Sequence, residues 1–115
     1  MLRILSIFTI FLLLNVSSVS SSNFNYGSGY AAKSVLASQS LINAMDKIDN
    51  GIYAVGEHGI ILYSDDFGDS WMQAESVPYT STLTDISCSS KKSCWVTGHD
   101  ATILHSNDQG VTWIK

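Results

Sequence analysis

Ser64-Asp65-Asp66-Phe67-Gly68-Asp69-Ser70-Trp71 and Ser106-Asn107-Asp108-Gln109-Gly110-Val111-Thr112-Trp113 are two settings of one pattern, S-x-D-x-G-x-[S/T]-W. They lie 42 residues apart, and the same offset holds upstream without a gap, through Leu41/Leu83, Gly56/Gly98, Ile61/Ile103 and Leu62/Leu104. Of the 34 positions paired in this way (40–73 on 82–115), eight are identical. A fixed period near forty residues is what stacked supersecondary units leave in a sequence. The repeat therefore decides architecture, and it says much less about function.

The octapeptide has the residues a tight hairpin needs. The serine closes one strand, and the aspartate two positions on accepts hydrogen bonds from N–H groups of the turn. The glycine takes a backbone conformation that a Cβ disfavours. The Ser70 or Thr112 hydroxyl completes the local network. Trp71 or Trp113 then re-enters the sheet as an apolar wedge between one sheet and its neighbour. Ser64, Asp66, Gly68, Ser70 and Trp71, with Ser106, Asp108, Gly110, Thr112 and Trp113, are thus expected to be structural. None of them activates a nucleophile.

Each period reads as four short strands. The first unit has apolar or alternating runs at 41–45, 52–56, 60–64 and 70–74, and the second at 82–88, 94–98, 102–106 and 111–115. The polar stretch 46–51 holds the Asn50-Gly51 pair favoured in tight hairpins. A longer connection, 75–81, carries the only proline, Pro78. Tyr53 and Trp95, equivalent under the repeat and mid-strand, are expected in the core, whereas Tyr79 in the connection is the candidate for an exposed aromatic.

Ahead of the repeats, Arg3 precedes an apolar run at 4–14 broken only by Ser6 and Thr9, and small residues fill 17–22. That arrangement is a secretory signal peptide; the run of about 11 residues is well short of the ~20 a membrane span requires. The expected organisation is a signal peptide at 1–21, a linker or poorly ordered segment at 22–39, and repeat units at 40–81 and 82–115. After processing, no membrane insertion is expected. The formal net charge of −4 includes Arg3, so loss of that arginine leaves −4 − 1 = −5 and no arginine at all. A nucleic-acid partner needs a basic stripe to displace counterions, and the scattered lysines supply none.

Cys88 and Cys94 are the only cysteines. In an oxidising compartment an even count reads as a bridge, here flanking the hairpin loop of the second unit. Two cysteines are too few for a structural zinc site. His58, His99 and His105 have no thiolate or carboxylate at ligand spacing, so neither a metal nor another cofactor is expected. Of the carboxylates outside the octapeptides, the candidates Glu57, Glu75, Asp85 and Asp100 are expected to be solvated turn residues, and no catalytic residue is assigned.

Both octapeptides match the Asp-box, or bacterial neuraminidase repeat, at every defining position. The wider unit, with Gly56 or Gly98 and the Ile-Leu pair that follows, resembles the repeat of the photosystem II stability/assembly factor family over about 40–115. The resemblance implies an all-β fold: a partial β-propeller of two four-stranded antiparallel blades, with the octapeptide between the third and fourth strands. It implies a non-catalytic scaffold with a protein partner, secreted or, in a photosynthetic source, in the thylakoid lumen. The alternative is a piece of a secreted sialidase-like or other carbohydrate-active propeller enzyme without its catalytic residues, with a glycan as ligand. Sialidase chemistry needs arginines that clamp a carboxylate, which the processed chain lacks. A propeller closes with roughly four to eight blades, and two are present, so the chain is expected to be a fragment.

Overall fold

The computed structural model describes residues 29–115; the expected signal peptide and the first part of the segment 22–39 lie outside the described residues. The fold is all-β and consists of two antiparallel sheets. The first has four strands in chain order: β1 (Ile42–Ile48), β2 (Gly51–Gly56), β3 (Ile61–Ser64) and β4 (Met72–Gln73). The second has three: β5 (Leu83–Ser90), β6 (Ser93–Gly98) and β7 (Thr102–Ser106). The stretch expected as its fourth strand, 111–115, forms isolated bridges instead. Ile114 pairs with His105, and Thr112 pairs in parallel with Ser76 of the connection between sheets.

Hydrophobic pattern explains the strand positions. In β1 half-buried and exposed residues alternate, as on an outer strand with one wet face. β2 is the near-continuous apolar run Gly51-Ile52-Tyr53-Ala54-Val55-Gly56, buried along almost its whole length as a central strand covered on both faces. β6 alternates strictly: Cys94 and Val96 are buried, Trp95 and Thr97 exposed.

The first hairpin is tighter than the sequence implies. β1 runs on through Lys47 and Ile48, and the turn is the two residues Asp49-Asn50 between the paired Ile48 and Gly51. Asp49 supplies the positive φ (54°) that a two-residue connection demands. The second hairpin likewise turns on Lys91-Lys92, between Ser90 and Ser93.

The two units are not related by a simple 42-residue translation throughout. Gly56 pairs with Ile42, whereas Gly98 pairs with Leu83. The outer strand of the second sheet is therefore one residue out of step with the sequence repeat, and Leu83 corresponds to Ile42 rather than to Leu41. The cause is the register shift between Cys88 and Ser90, where Ser89 is an extra bulged residue. Burial agrees: Leu83 is fully buried and Leu41 stands in solvent. So does the backbone, since Glu57 N–H donates to Leu41 O while His99 N–H donates to Thr82 O. Gly56 is required at this crossing, because a Cβ would lie 2.0 Å from Leu41 O.

The core is the seam between the sheets. Tyr53, Val55, Ile61 and Ala74 of the first sheet's side meet Ile86, Cys94, Val96 and Leu104 of the second in one buried cluster. Polar ties cross the same seam. Cys88 N–H donates to Asp46 Oδ2 (2.7 Å), Asn43 Nδ2 donates to Leu83 O (2.8 Å), and Lys91 Nζ donates to Asn50 Oδ1. The opposite face of the first sheet carries a smaller cluster of Ala54, Ile60 and Leu62 under Ala37. Ala37 comes from a single 3-10 turn (Ala37–Gln39) in a segment that docks onto β4. There Lys33 Nζ donates to Gln73 O and pairs with Glu75, and Gln73 Nε2 donates to Ala32 O.

Candidate functional site

The two octapeptide turns repeat one another bond for bond. Ser64 Oγ donates to Asp66 Oδ1 (2.7 Å) and accepts from Gly68 N–H (2.8 Å). Ser70 N–H donates to Asp66 Oδ1 (2.9 Å), and the Ser70 hydroxyl donates to Asp66 Oδ2. In the second turn Ser106 Oγ donates to Asp108 Oδ1 (2.9 Å) and accepts from Gly110 N–H (3.0 Å). Thr112 N–H donates to Asp108 Oδ1 (2.9 Å), and the Thr112 hydroxyl donates to Asp108 Oδ2. Two successive residues in each turn have positive φ, Phe67 (58°) and Gly68 (91°), then Gln109 (64°) and Gly110 (82°). Both carboxylate oxygens are thus committed to the turn.

These bonds set the charge state. Hydrogen bonds from the Ser70 hydroxyl, the Ser70 N–H and the Ser64 hydroxyl lower the Asp66 pKa to about 2. Burial pushes Asp108 upward, and donation from the Thr112 hydroxyl, the Thr112 N–H and Ser106 outweighs it, so its pKa also lies below the ordinary value. A carboxylate held ionised in this way is a poor general acid or base near neutral pH.

The two tryptophans that follow differ. Trp113 is 2% exposed in the seam, and its Nε1 donates to Gly110 O (3.0 Å). Trp71 is only half-buried, packed on the small outer cluster, with no equivalent bond. The wedge between sheets is therefore Trp113 alone.

Two further expectations are corrected. Trp95 is 50% exposed, its ring against His105 with centroids 4.2 Å apart, although its counterpart Tyr53 is buried. Both occupy the same face of their own sheet, but among the described residues only the first sheet has a neighbour on that side. Tyr79 is buried rather than exposed, and its hydroxyl donates to His99 O (2.9 Å), which fastens the connection to the β6–β7 turn.

At the octapeptide end of the seam lies a cleft of about 360 Å³, lined among others by Tyr53, Tyr63, Asp65, Lys91 and Gln109. Burial, then the charge of Asp65, raises the Tyr53 pKa; burial, then Glu75, Asp65 and Asp108, raises that of Tyr63. Both phenols stay protonated at neutral pH, the opposite of what an activated tyrosine nucleophile requires. Nothing in the sequence pattern marks this cleft, because Tyr63 and Lys91 are brought together only by packing of one sheet on the other.

The remaining candidates do not converge. Glu57 and His58 sit in the β2–β3 turn, and His99 and Asp100 in the β6–β7 turn. Asp85 accepts from Ile86 N–H on β5, and Glu75 pairs with Lys33 at 3.1 Å. Among the described residues no group of three or more His, Cys, Asp or Glu is placed to hold a metal ion. None of their helices is long and apolar enough to cross a membrane. Cys88 and Cys94, directly opposed on β5 and β6, form a disulfide.

No protein-family model matches this chain, and no curated protein matches it. Solved structures do. The chain is similar to YCF48 bound to a D1 peptide, with 26% identity and a TM-score of 0.57 over 64% of this chain and 24% of that one. It is similar to YCF48 from Cyanidioschyzon merolae, with 26% identity and a TM-score of 0.53 over 64% of this chain and 26% of that one. The chain thus spans about a quarter of the length of the structures it matches. In architecture it is a two-bladed portion of a β-propeller, similar to YCF48.

Proposed function

We propose that this chain is a non-catalytic, protein-binding scaffold of Asp-box blades, of the photosystem II assembly-factor type. The observation that carries the reading is the likeness to YCF48, one structure of which holds a D1 peptide. The octapeptide chemistry supports it: Asp66 and Asp108 spend both oxygens on their own turns. The seam cleft, with tyrosine donors beside Asp65 and Lys91, offers a peptide both hydrogen-bonding and aromatic contacts. The Cys88–Cys94 bridge suits an oxidising compartment, and together with the signal-like residues 1–21 it supports export, to the thylakoid lumen in a photosynthetic source.

The test is fluorescence anisotropy with a labelled D1 peptide and the purified chain. Saturable binding that weakens on Tyr63→Ala is expected. Absence of binding up to about 1 mM, with specific capture of a sugar on a glycan array, would replace the scaffold by the carbohydrate-active alternative.

A further inference from the structure

The seam between the sheets has an unused counterpart on the far side of the second sheet, and this feature goes beyond the proposed peptide-binding role. On the first sheet, Tyr53 pairs with Tyr63 and Val55 with Ile61, so these four residues share one face. That face is the one covered by the second sheet. The repeat places Trp95, Thr97, Ile103 and His105 at the four equivalent positions, again as direct pairs, Trp95 with His105 and Thr97 with Ile103. There the face is open: Trp95 is 50% and Ile103 55% exposed.

We infer that this outward face is a docking surface for a second copy of the chain, whose first sheet stacks on it as the second sheet stacks on the first within one molecule. The complementary surface already exists. Val96 and Leu104 are among the residues with which the second sheet meets the first, and their equivalents, Ala54 and Leu62, lie on the other face of the first sheet. The turn glycines match as well. The Tyr53 ring lies so close to Gly110 that a Cβ there would come within 2.8 Å of it; at the equivalent Gly68 the nearest atom beyond its neighbours is Ile52 Cδ1 at 3.5 Å. Gly68 of a second copy therefore has room for Trp95. Among the described residues, the Ala54/Leu62 face is covered by the Ala37 segment. That segment is held by the exposed Lys33–Glu75 ion pair, by bonds to Gln73 and Ala74, by the backbone bond from Ala31 N–H to Val77 O and by the buried Ala37, while its Val35 and Leu36 side chains stand in solvent. Its release gives up these bonds and the burial of Ala37, and the burial of Trp95 and Ile103 in the contact has to exceed that loss. The contact is head-to-tail, so it adds copies in one direction until a ring closes.

Sedimentation of the full chain from about 1 µM to about 1 mM tests this. The expected result is a mass that at least doubles over the range and returns to that of the monomer in Trp95→Glu. Ile103→Lys, on the same face, is read in its place if Trp95→Glu does not melt cooperatively. Fluorescently labelled Trp95→Glu should still co-sediment with wild type, because its first sheet is intact and caps a growing stack. A wild-type chain that is monomeric throughout overturns the inference. So does association that both variants retain, and so does a wild-type dimer that excludes labelled Trp95→Glu, which would mean two outward faces packed on each other.

Discussion

At the level of single residues, the octapeptide converts two carboxylates into parts of the backbone. Asp66 holds its proton less tightly in the folded chain than in the unfolded one, where its value is near 3.9. Its contribution to stability is therefore complete above about pH 4 and is lost as the pH falls toward its folded value of about 2. The melting temperature of wild type should fall across that window, and Asp66→Asn should show a flatter dependence; parallel curves would deny the carboxylate this role. The same turns separate the two tryptophans. Trp113→Ala removes a buried ring from the seam and should cost about 3–5 kcal/mol, whereas Trp71→Ala, at a half-buried site, should cost about 1–2 kcal/mol. Urea melts of both variants give the comparison, and equal losses would contradict the unequal packing of the two rings.

Among the strands and hairpins, the alternation of side chains carried most of the information and the turns carried the rest incompletely. The β2, β6 and β7 runs are legible because Ile, Val, Leu and aromatic residues mark them, and the octapeptide fixes where the third strand ends. The bulge at Ser89 is not legible. A gapless 42-residue match conceals it, since inserting one residue into a polar Ser-Ser-Lys-Lys-Ser stretch changes no hydrophobic signal. The Cys88–Cys94 bridge sits beside that bulge, between directly paired residues, and closes a short ring. In the chain-entropy account such a ring contributes about 2 kcal/mol. Cys88→Ser with Cys94→Ser should therefore lower the unfolding free energy from urea melts by about 2 kcal/mol while leaving the circular dichroism of the sheets unchanged. Native protein should resist alkylation until reduced. Immediate labelling, or loss of the β spectrum in the double variant, would contradict a bridge that only secures register.

For the molecule as a whole, two copies of one sheet pack in the same sense, so each face has a defined role. Tyr53, Val55 and Ile61 are covered, and their equivalents in the second sheet are left open. The repeat in the sequence announces the two sheets, yet it does not tell which of Tyr53 and Trp95 is inside. Equivalent residues look alike until it is known which sheet has a neighbour. The seam cleft was hidden for a related reason, as Tyr63 and Lys91 are remote in sequence and line one cleft only once the sheets pack. The two sheets stack in the same sense, the front face of the first on the back face of the second, with the Tyr53 ring seated on Gly110. The most direct check of this stacking is the nuclear Overhauser effect between the Tyr53 ring protons and the Gly110 α protons in the folded chain. Strong cross-peaks are predicted, alongside none between the Trp95 ring and Gly110. Their absence, in a sample whose β-sheet amides are otherwise protected, would show that the two sheets do not meet at this face.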